Sequence, residues 1–385
     1  MKLLPDQDER DLAATLRALL AAECPTNVVR RLHDCPEDRI PPRLWKALVD
    51  AGVLGLSLPT EYGGAGGSLT DLGVFCVEAG RALCPTIVHS TVQAALAIDV
   101  LGDAEHRAAW LPGLTAGTTR ATTSLFSPRD AAVIDPVLRA HRDADGGWRL
   151  QGRVDFVLDA DLADYLVVSA ADEDEQTVGF VVDAHAGGLH LEPLQAMGGY
   201  RLFYIRFDDV SVADPRAVLT GPHGNGLPEV ALRQVANTAV TLLSLDLVGI
   251  GEAVLQRTVD YTKARKQFGR PIASFQAAQH LVANMHIALA AARLAGHSAV
   301  FWIGDGDTTW ETAIARMHAA TAAKLITLDA HQLHGGMGYV VETDLHLFSE
   351  RARVLSTLGG GADIAATWLL SESPYRMAPT EEPRW

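Results

Sequence analysis

The residues best equipped for chemistry lie in two short strings in the last third of the chain. One runs Arg265, Lys266, Gln267, Phe268, Gly269, and the other holds Gln332, Gly335, Gly336 and Gly338. An arginine presents planar, permanently charged donors that match a pyrophosphate, and a phenylalanine offers a face to a base or a sugar. Gly269 is expected to end a helix without side-chain bulk. In the second string the glycines let backbone approach a ligand closely. Each string alone has a plainer reading, a solvated helix end in one case and a glycine turn in the other.

Other candidates read as structure. His331, His334 and His346 are 3 and 12 residues apart with no matching carboxylates, a pattern for packing or capping rather than for a metal. Asp130 and Asp159 fit turns. The stretch GPHGNG at 221–226 fits a linker, because no strand-turn-helix unit surrounds it as a phosphate cradle requires. Cys24, Cys35, Cys76 and Cys84 form no CxxC pair, so free thiols in a reducing cytoplasm are expected. The formal charge of -15 excludes a general nucleic-acid or anionic-membrane surface. The first twenty residues carry acidic side chains where a signal peptide needs an apolar core, and no uncharged apolar run reaches membrane-spanning length.

The elements that must position the two strings follow from periodicity. At 385 residues, 48% of them hydrophobic, the chain is long enough for two or three packed subdomains. Residues 1–118 show apolar positions at helical spacing, with helices around Leu44–Ala51 and Leu72–Leu83 and Thr70 as an N-cap. Residues 119–222 switch to short β-branched runs such as DYLVVSA and TVGFVVDA, which predict an antiparallel β-domain. Residues 223–371 return to helix in four segments near Leu227–Lys266, Ser274–Asp305, Thr309–His334 and Asp344–Leu370, a four-helix bundle. Residues 372–385 read as a polar, Pro-rich tail.

PTEYGGAGGS at 59–68, WLPGLTAG at 110–117, YTKARKQFGRPIASFQAAQH at 261–280 and QLHGGMGY at 332–339 occur in an order and spacing that resemble the acyl-CoA dehydrogenase family. The resemblance implies an α+β fold of helical domain, β-domain and helical bundle. It assigns Arg265, Gln267 and Phe268 to the pyrophosphate and adenosine half of FAD, with Phe275, Gln276, Gln332, Gly335 and Gly336 nearby. In the family these residues reach a cofactor seated mainly in a neighbouring subunit. The implied reaction is α,β-dehydrogenation of an acyl-CoA, with electrons passed to an electron-transferring flavoprotein.

The chain departs from that pattern where the chemistry should be. The family abstracts an α-proton with a Glu while hydride leaves to the flavin. Its usual place, before a Gly, aligns with Gly359, and its alternative place, 26 residues before Arg265, is Ala239. Phe156, Val157 and Leu158 stand where a Trp-Ile-Thr strand would contact the flavin ring, and a leucine side chain cannot donate a hydrogen bond. Residues lent to a neighbour's FAD remain, whereas those for the chain's own flavin are gone. The C-terminal strings HGGMGYVVETDLHL and STLGGG resemble heteromeric acyl-CoA dehydrogenases of steroid degradation. The sequence therefore predicts the base-less subunit of a heterotetramer with two copies of each subunit, acting on a steroid-derived acyl-CoA. Two other readings stay open: a self-sufficient homo-oligomer with a relocated base, for which Asp246 or Glu252 is a candidate, and a non-catalytic binding or scaffold subunit.

Overall fold

The computed structural model describes residues 5–34, 40–221, 226–303 and 308–371. The tail and the interior of GPHGNG lie outside this set, as does Cys35.

Capping side chains set where the N-terminal helices begin. Asp6 accepts from the Glu9 N–H while the Glu9 carboxylate accepts from the Asp6 N–H, which starts α1 (Gln7–Glu23) with two orphan donors satisfied. Ser68 and Asp71 repeat the arrangement at α4 (Leu69–Ala82). The N-cap is therefore Ser68, two residues before the expected Thr70. Between them lie α2 (Thr26–Asp34) and α3 (Pro42–Asp50), and α5 (Thr86–Leu101) and α6 (Ala104–Thr115) follow. The PTEYGGAGGS loop closes on α6, where Thr115 donates to the Tyr62 carbonyl.

The middle of the chain forms one sheet from β1 (Ala121–Ser124), β2 (Leu138–Arg142), β3 (Trp148–Leu158), β4 (Tyr165–Ala171), β5 (Thr177–Asp183), β6 (Leu189–Leu194), β7 (Leu202–Val212) and β8 (Val218–Leu219). The strand order is β6-β7-β3-β2-β4-β5-β8, with β1 also on β4. Most pairs are antiparallel, but β1 and β2 each run parallel to β4, a detail that alternation in the sequence does not encode. The β3–β7 register slips between Val154 and Val157, and Phe156 inside the slip adopts φ 55°.

Helix returns with the 36-residue α7 (Glu229–Ala264), then α8 (Gln276–Ile303) and α9 (Thr309–His334). The expected fourth segment is two helices, α10 (Leu345–Leu355) and α11 (Ala362–Ser371). Gly359 and Gly360 between them take φ 74° and 103°, left-handed values that glycine tolerates and a continuous helix does not. α7 is long and apolar enough to cross a bilayer, yet 83% of its most apolar window is buried, as a core helix requires. α7 meets α4 at contact distance, because Gly80 and Gly249 lack side chains: a Cβ on either would lie 2.0 Å or less from a carbonyl oxygen of the other helix. The three-part order expected from the sequence is present.

Candidate functional site

The first string does not end a helix at Gly269. α7 stops at Ala264, and Arg265 is already extended at φ -75°, ψ 124°. A hairpin follows, β9 (Lys266–Gln267) paired to β10 (Arg270–Pro271), closed by Phe268 at φ 53° and Gly269 at φ 77°. Two successive left-handed residues make the turn whose twist suits a two-residue hairpin. This turn drives Phe268 into solvent, 92% exposed. Phe275 lies edge-on to it with ring centroids 6.2 Å apart, and Arg270 stacks on Phe275 at 4.1 Å.

The second string sits at the same end of the bundle. Tyr261, one turn before Arg265, stacks on His334 with centroids 4.2 Å apart and donates to the His334 carbonyl. Gly335 and Gly336 follow, in a turn where an added Cβ would touch nothing. The structure thus brings the two strings together. Arg265, Gln267, Phe268, Gln276, Gln332, Gly335 and Gly336 are all exposed and Phe275 is half-buried, so the cluster faces outward. Cationic and amide donors, an aromatic face and bare backbone fit the nucleotide end of FAD.

His331 and His334 have partners within the fold. His331 Nε2 meets Ser349 Oγ at 2.7 Å, and His334 Nδ1 meets the Ala330 carbonyl at 2.8 Å. Burial holds both below the usual histidine range. Among the described residues no group of three His, Cys, Asp or Glu is placed to hold a metal.

The expected base positions line two neighbouring cavities. Gly359 borders a space of about 70 Å3, together with Phe156 and Leu158. Gly359 is fixed by a reciprocal backbone pair, its N–H donating to the Pro128 carbonyl and its carbonyl accepting from the Ala131 N–H. Arg316 secures the same loop, with Nε on the Gly360 carbonyl and Nη2 on those of Leu355 and Leu358. Burial lowers this guanidinium to about 10. Ala239 lines a larger cavity of about 320 Å3, and Phe126, Thr123 and Gln93 border both spaces.

Neither relocated-base candidate is free for proton transfer. Asp246 is fully buried, with Arg351 Nη2 at 2.6 Å and Nε at 3.1 Å, and His89 Nε2 2.7 Å away. Burial pushes its carboxyl up, but Arg351 and His89 outweigh this and hold it below the usual carboxylate range. Glu252 is no plain surface charge: it bridges Arg81 and Arg293 and is only 12% exposed. Asp159, expected in a turn, does adopt φ 55°, but it is buried and accepts from Thr86 at 3.0 Å and Ser90 at 2.9 Å. Asp130 accepts from Trp368 Nε1 at 2.8 Å. The acidic side chain on the wall of the larger cavity is Asp99, which the sequence reading passed over. Its only signal was a place on an apolar helix, and its exposure to the cavity depends on how α5 packs.

Residues 228–370 match the family described as Acyl-CoA dehydrogenase, C-terminal domain, and residues 6–118 match Acyl-CoA dehydrogenase, N-terminal domain. The chain is 30% identical to the acyl-CoA dehydrogenase IpdE2 of Mycobacterium tuberculosis, over 91% of this chain and 92% of that one. It is also 30% identical to the 3-sulfinopropanoyl-CoA desulfinase of Paraburkholderia xenovorans, over 87% and 89%. Among solved structures, a variant of the Tcur3481-Tcur3483 steroid ACAD superposes with a TM-score of 0.83 at 31% identity, over 95% of this chain and 97% of that one. The ChsE4-ChsE5 complex of Mycobacterium tuberculosis gives 0.87 at 24% identity, over 97% and 100%, a likeness of fold.

Proposed function

The chain belongs to the acyl-CoA dehydrogenase family, and from that premise we propose that it is the base-less subunit of a heterotetramer, two copies each of two subunits, that oxidises an acyl-CoA. What carries the reading is a division within one molecule. The cluster of Arg265, Gln267, Phe268, Gln332, Gly335 and Gly336 faces outward at one end of the bundle, while the chain's two base positions are Gly359 and Ala239 and Phe156, Val157 and Leu158 stand where contacts to a flavin ring are expected. Bound FAD supplies the hydride acceptor for dehydrogenation. This chain's part would be to clasp the nucleotide end: Arg265 would pair with pyrophosphate oxygens, Phe268 and Phe275 would cover the adenosine, Gln267, Gln276 and Gln332 would offer amide donors, and the glycines would admit the cofactor against backbone. The partner supplies the Glu and the contacts to the flavin ring, and an electron-transferring flavoprotein takes the electrons. A steroid-derived thioester is the substrate favoured by likeness to a solved steroid ACAD.

The self-sufficient alternative requires a carboxylate beside a flavin in the same chain. Asp246 and Glu252 are committed to arginines, and Asp99 is likewise paired with Arg107 at 3.2 Å. The scaffold reading leaves the outward cluster without work. The test is to purify the chain alone and with a second acyl-CoA dehydrogenase subunit. Flavin absorbance and turnover are expected only in the complex, and Arg265→Ala in this chain is expected to weaken FAD retention by at least about tenfold, the order of one charge-assisted contact. Stoichiometric FAD and dehydrogenation by the chain alone would overturn the proposal.

A further inference from the structure

We propose that Arg30, on α2 in the N-terminal domain, is a positioning residue for the outward cluster: it pins the stretch of chain that runs on from Gly335 and Gly336, and so sets how tightly this subunit clasps a nucleotide. The last clause rests on the nucleotide reading of that cluster, and the rest on the geometry of α2. No residue from Thr26 to His33 is fully buried. A helix of nine residues does not persist on propensity alone, so its contacts to the bundle decide where it lies. Val29 packs half-buried on the core, and the other contacts are mostly polar. Arg30 Nε pairs with the Asp344 carboxylate, and Arg30 Nη2 donates to the Glu342 carbonyl at 3.0 Å. Arg257 on α7 donates to Thr26 Oγ1 at 3.2 Å, and His33 Nε2 meets the Glu350 carboxylate on α10 at 3.2 Å.

Glu342 and Asp344 close the segment that begins at Gly335. It is built of two short 3-10 turns, Gly335–Tyr339 and Val341–Thr343. The near end is held by the Tyr261–His334 stack, and Tyr339 lies against His331 with ring centroids 5.0 Å apart. The far half holds itself weakly. There the Val340 N–H reaches the Met337 carbonyl, and the Thr343 N–H the Val340 carbonyl, at 3.4 Å each, longer than an ordinary backbone hydrogen bond. Asp344 then takes φ 60° and ψ 2°, left-handed values that cost a non-glycine residue strain. Arg30 supplies the missing restraint from outside. Its planar fork grips the Asp344 side chain and the Glu342 carbonyl together, which fixes both the place and the direction of the chain. A lysine, a point charge on a flexible stem, would keep the ion pair and lose that direction. Asp344 also attracts Arg257, so changing Asp344 would disturb two arginines, and Arg30 is the cleaner residue to change.

The segment and the cofactor are read separately. In the full-length chain alone, Arg30→Met is expected to quicken amide exchange at residues 335–344 about threefold or more, the order of one partly exposed ion pair with its hydrogen bond, and Arg30→Lys to recover part of the protection. His33→Gln removes the contact to Glu350 but leaves Arg30 in place, and is expected to keep those residues within about twofold of wild type. In the complex with a second acyl-CoA dehydrogenase subunit, Arg30→Met is expected to weaken FAD retention about threefold or more, while turnover with FAD in excess stays within about twofold of wild type. Unchanged exchange at 335–344 in Arg30→Met refutes the pin. Equal quickening in Arg30→Met and His33→Gln means that α2 merely detaches, which refutes the role given to Arg30. Quickened exchange with FAD retained as in wild type refutes the positioning role, and Arg265→Ala then separates the two proposals: weaker FAD retention in that variant leaves the nucleotide reading standing, whereas unaltered retention removes it as well.

Discussion

Asp246 and Arg351 form the most consequential pair of single residues away from the nucleotide cluster. Both are buried, and Arg351 also donates to the Cys84 carbonyl, so its charge is committed on every side. Asp246→Asn leaves Arg351 buried without a counter-charge, and the expected cost is about 3–5 kcal/mol, measured by urea unfolding at neutral pH. The pH dependence has a definite sign. The folded carboxyl sits below its unfolded value of about 3.9, so its contribution is complete above that value and is lost as pH falls through the lower folded one. The stability gap between wild type and Asp246→Asn is therefore expected to be open at neutral pH and to close below about 4. A gap that stays open well below pH 4 would assign the effect to something other than the carboxylate's charge. This pair was not legible in the sequence, because 105 positions separate its members and only tertiary packing joins them. Arg265 and Phe268 could be singled out as candidates for the opposite reason: they lie in one contiguous string.

At the scale of elements, two features decide where the site-bearing loops sit. The first is the close crossing of α4 and α7. A methyl on Gly249 would lie 1.9 Å from the Val77 carbonyl oxygen, backbone that cannot swing aside. Gly249→Ala is expected to cost about 1–3 kcal/mol, the range for overpacking, seen as a lower urea midpoint at unchanged slope. The second is Arg316, which binds three carbonyls of the turn between α10 and α11. Arg316→Leu strips the donors from buried carbonyls, at a cost of about 2 kcal/mol or more. Faster amide exchange confined to residues 355–361 is the accompanying signature expected, and uniform loosening would contradict the clamp. Periodicity announced the long helices and ran one of them through this break, although Gly359, Gly360 and Gly361 within LSTLGGGADIAATWLL are the sequence signal for it. The hairpin at Phe268 was equally hidden, because a left-handed phenylalanine runs against its own propensity and is set by the Gly269 that follows.

For the whole molecule, the question is why one end of the bundle is left bare. Phe268 is 92% exposed, Tyr339 80% and Val341 64%, and they belong to the two segments that the Tyr261–His334 stack brings to the same end. A free monomer gains nothing by holding a phenylalanine in water beside Arg265, whereas a subunit that covers a neighbour's nucleotide needs this arrangement. Phe268→Asp should then act on assembly and cofactor together. Co-expressed with the proposed partner subunit, the variant is expected to lose most flavin absorbance, equivalent to at least about tenfold weaker retention, and to shift from the proposed tetramer toward smaller species by mass photometry. Val230→Asp is the control, because Val230 is 66% exposed in the first turn of α7, the opposite end of a helix roughly 50 Å long by its residue count. It should leave both readouts unchanged. Equal losses in the two variants would mean general fragility of the chain, and an intact yellow tetramer carrying Phe268→Asp would remove this end of the bundle from the cofactor site.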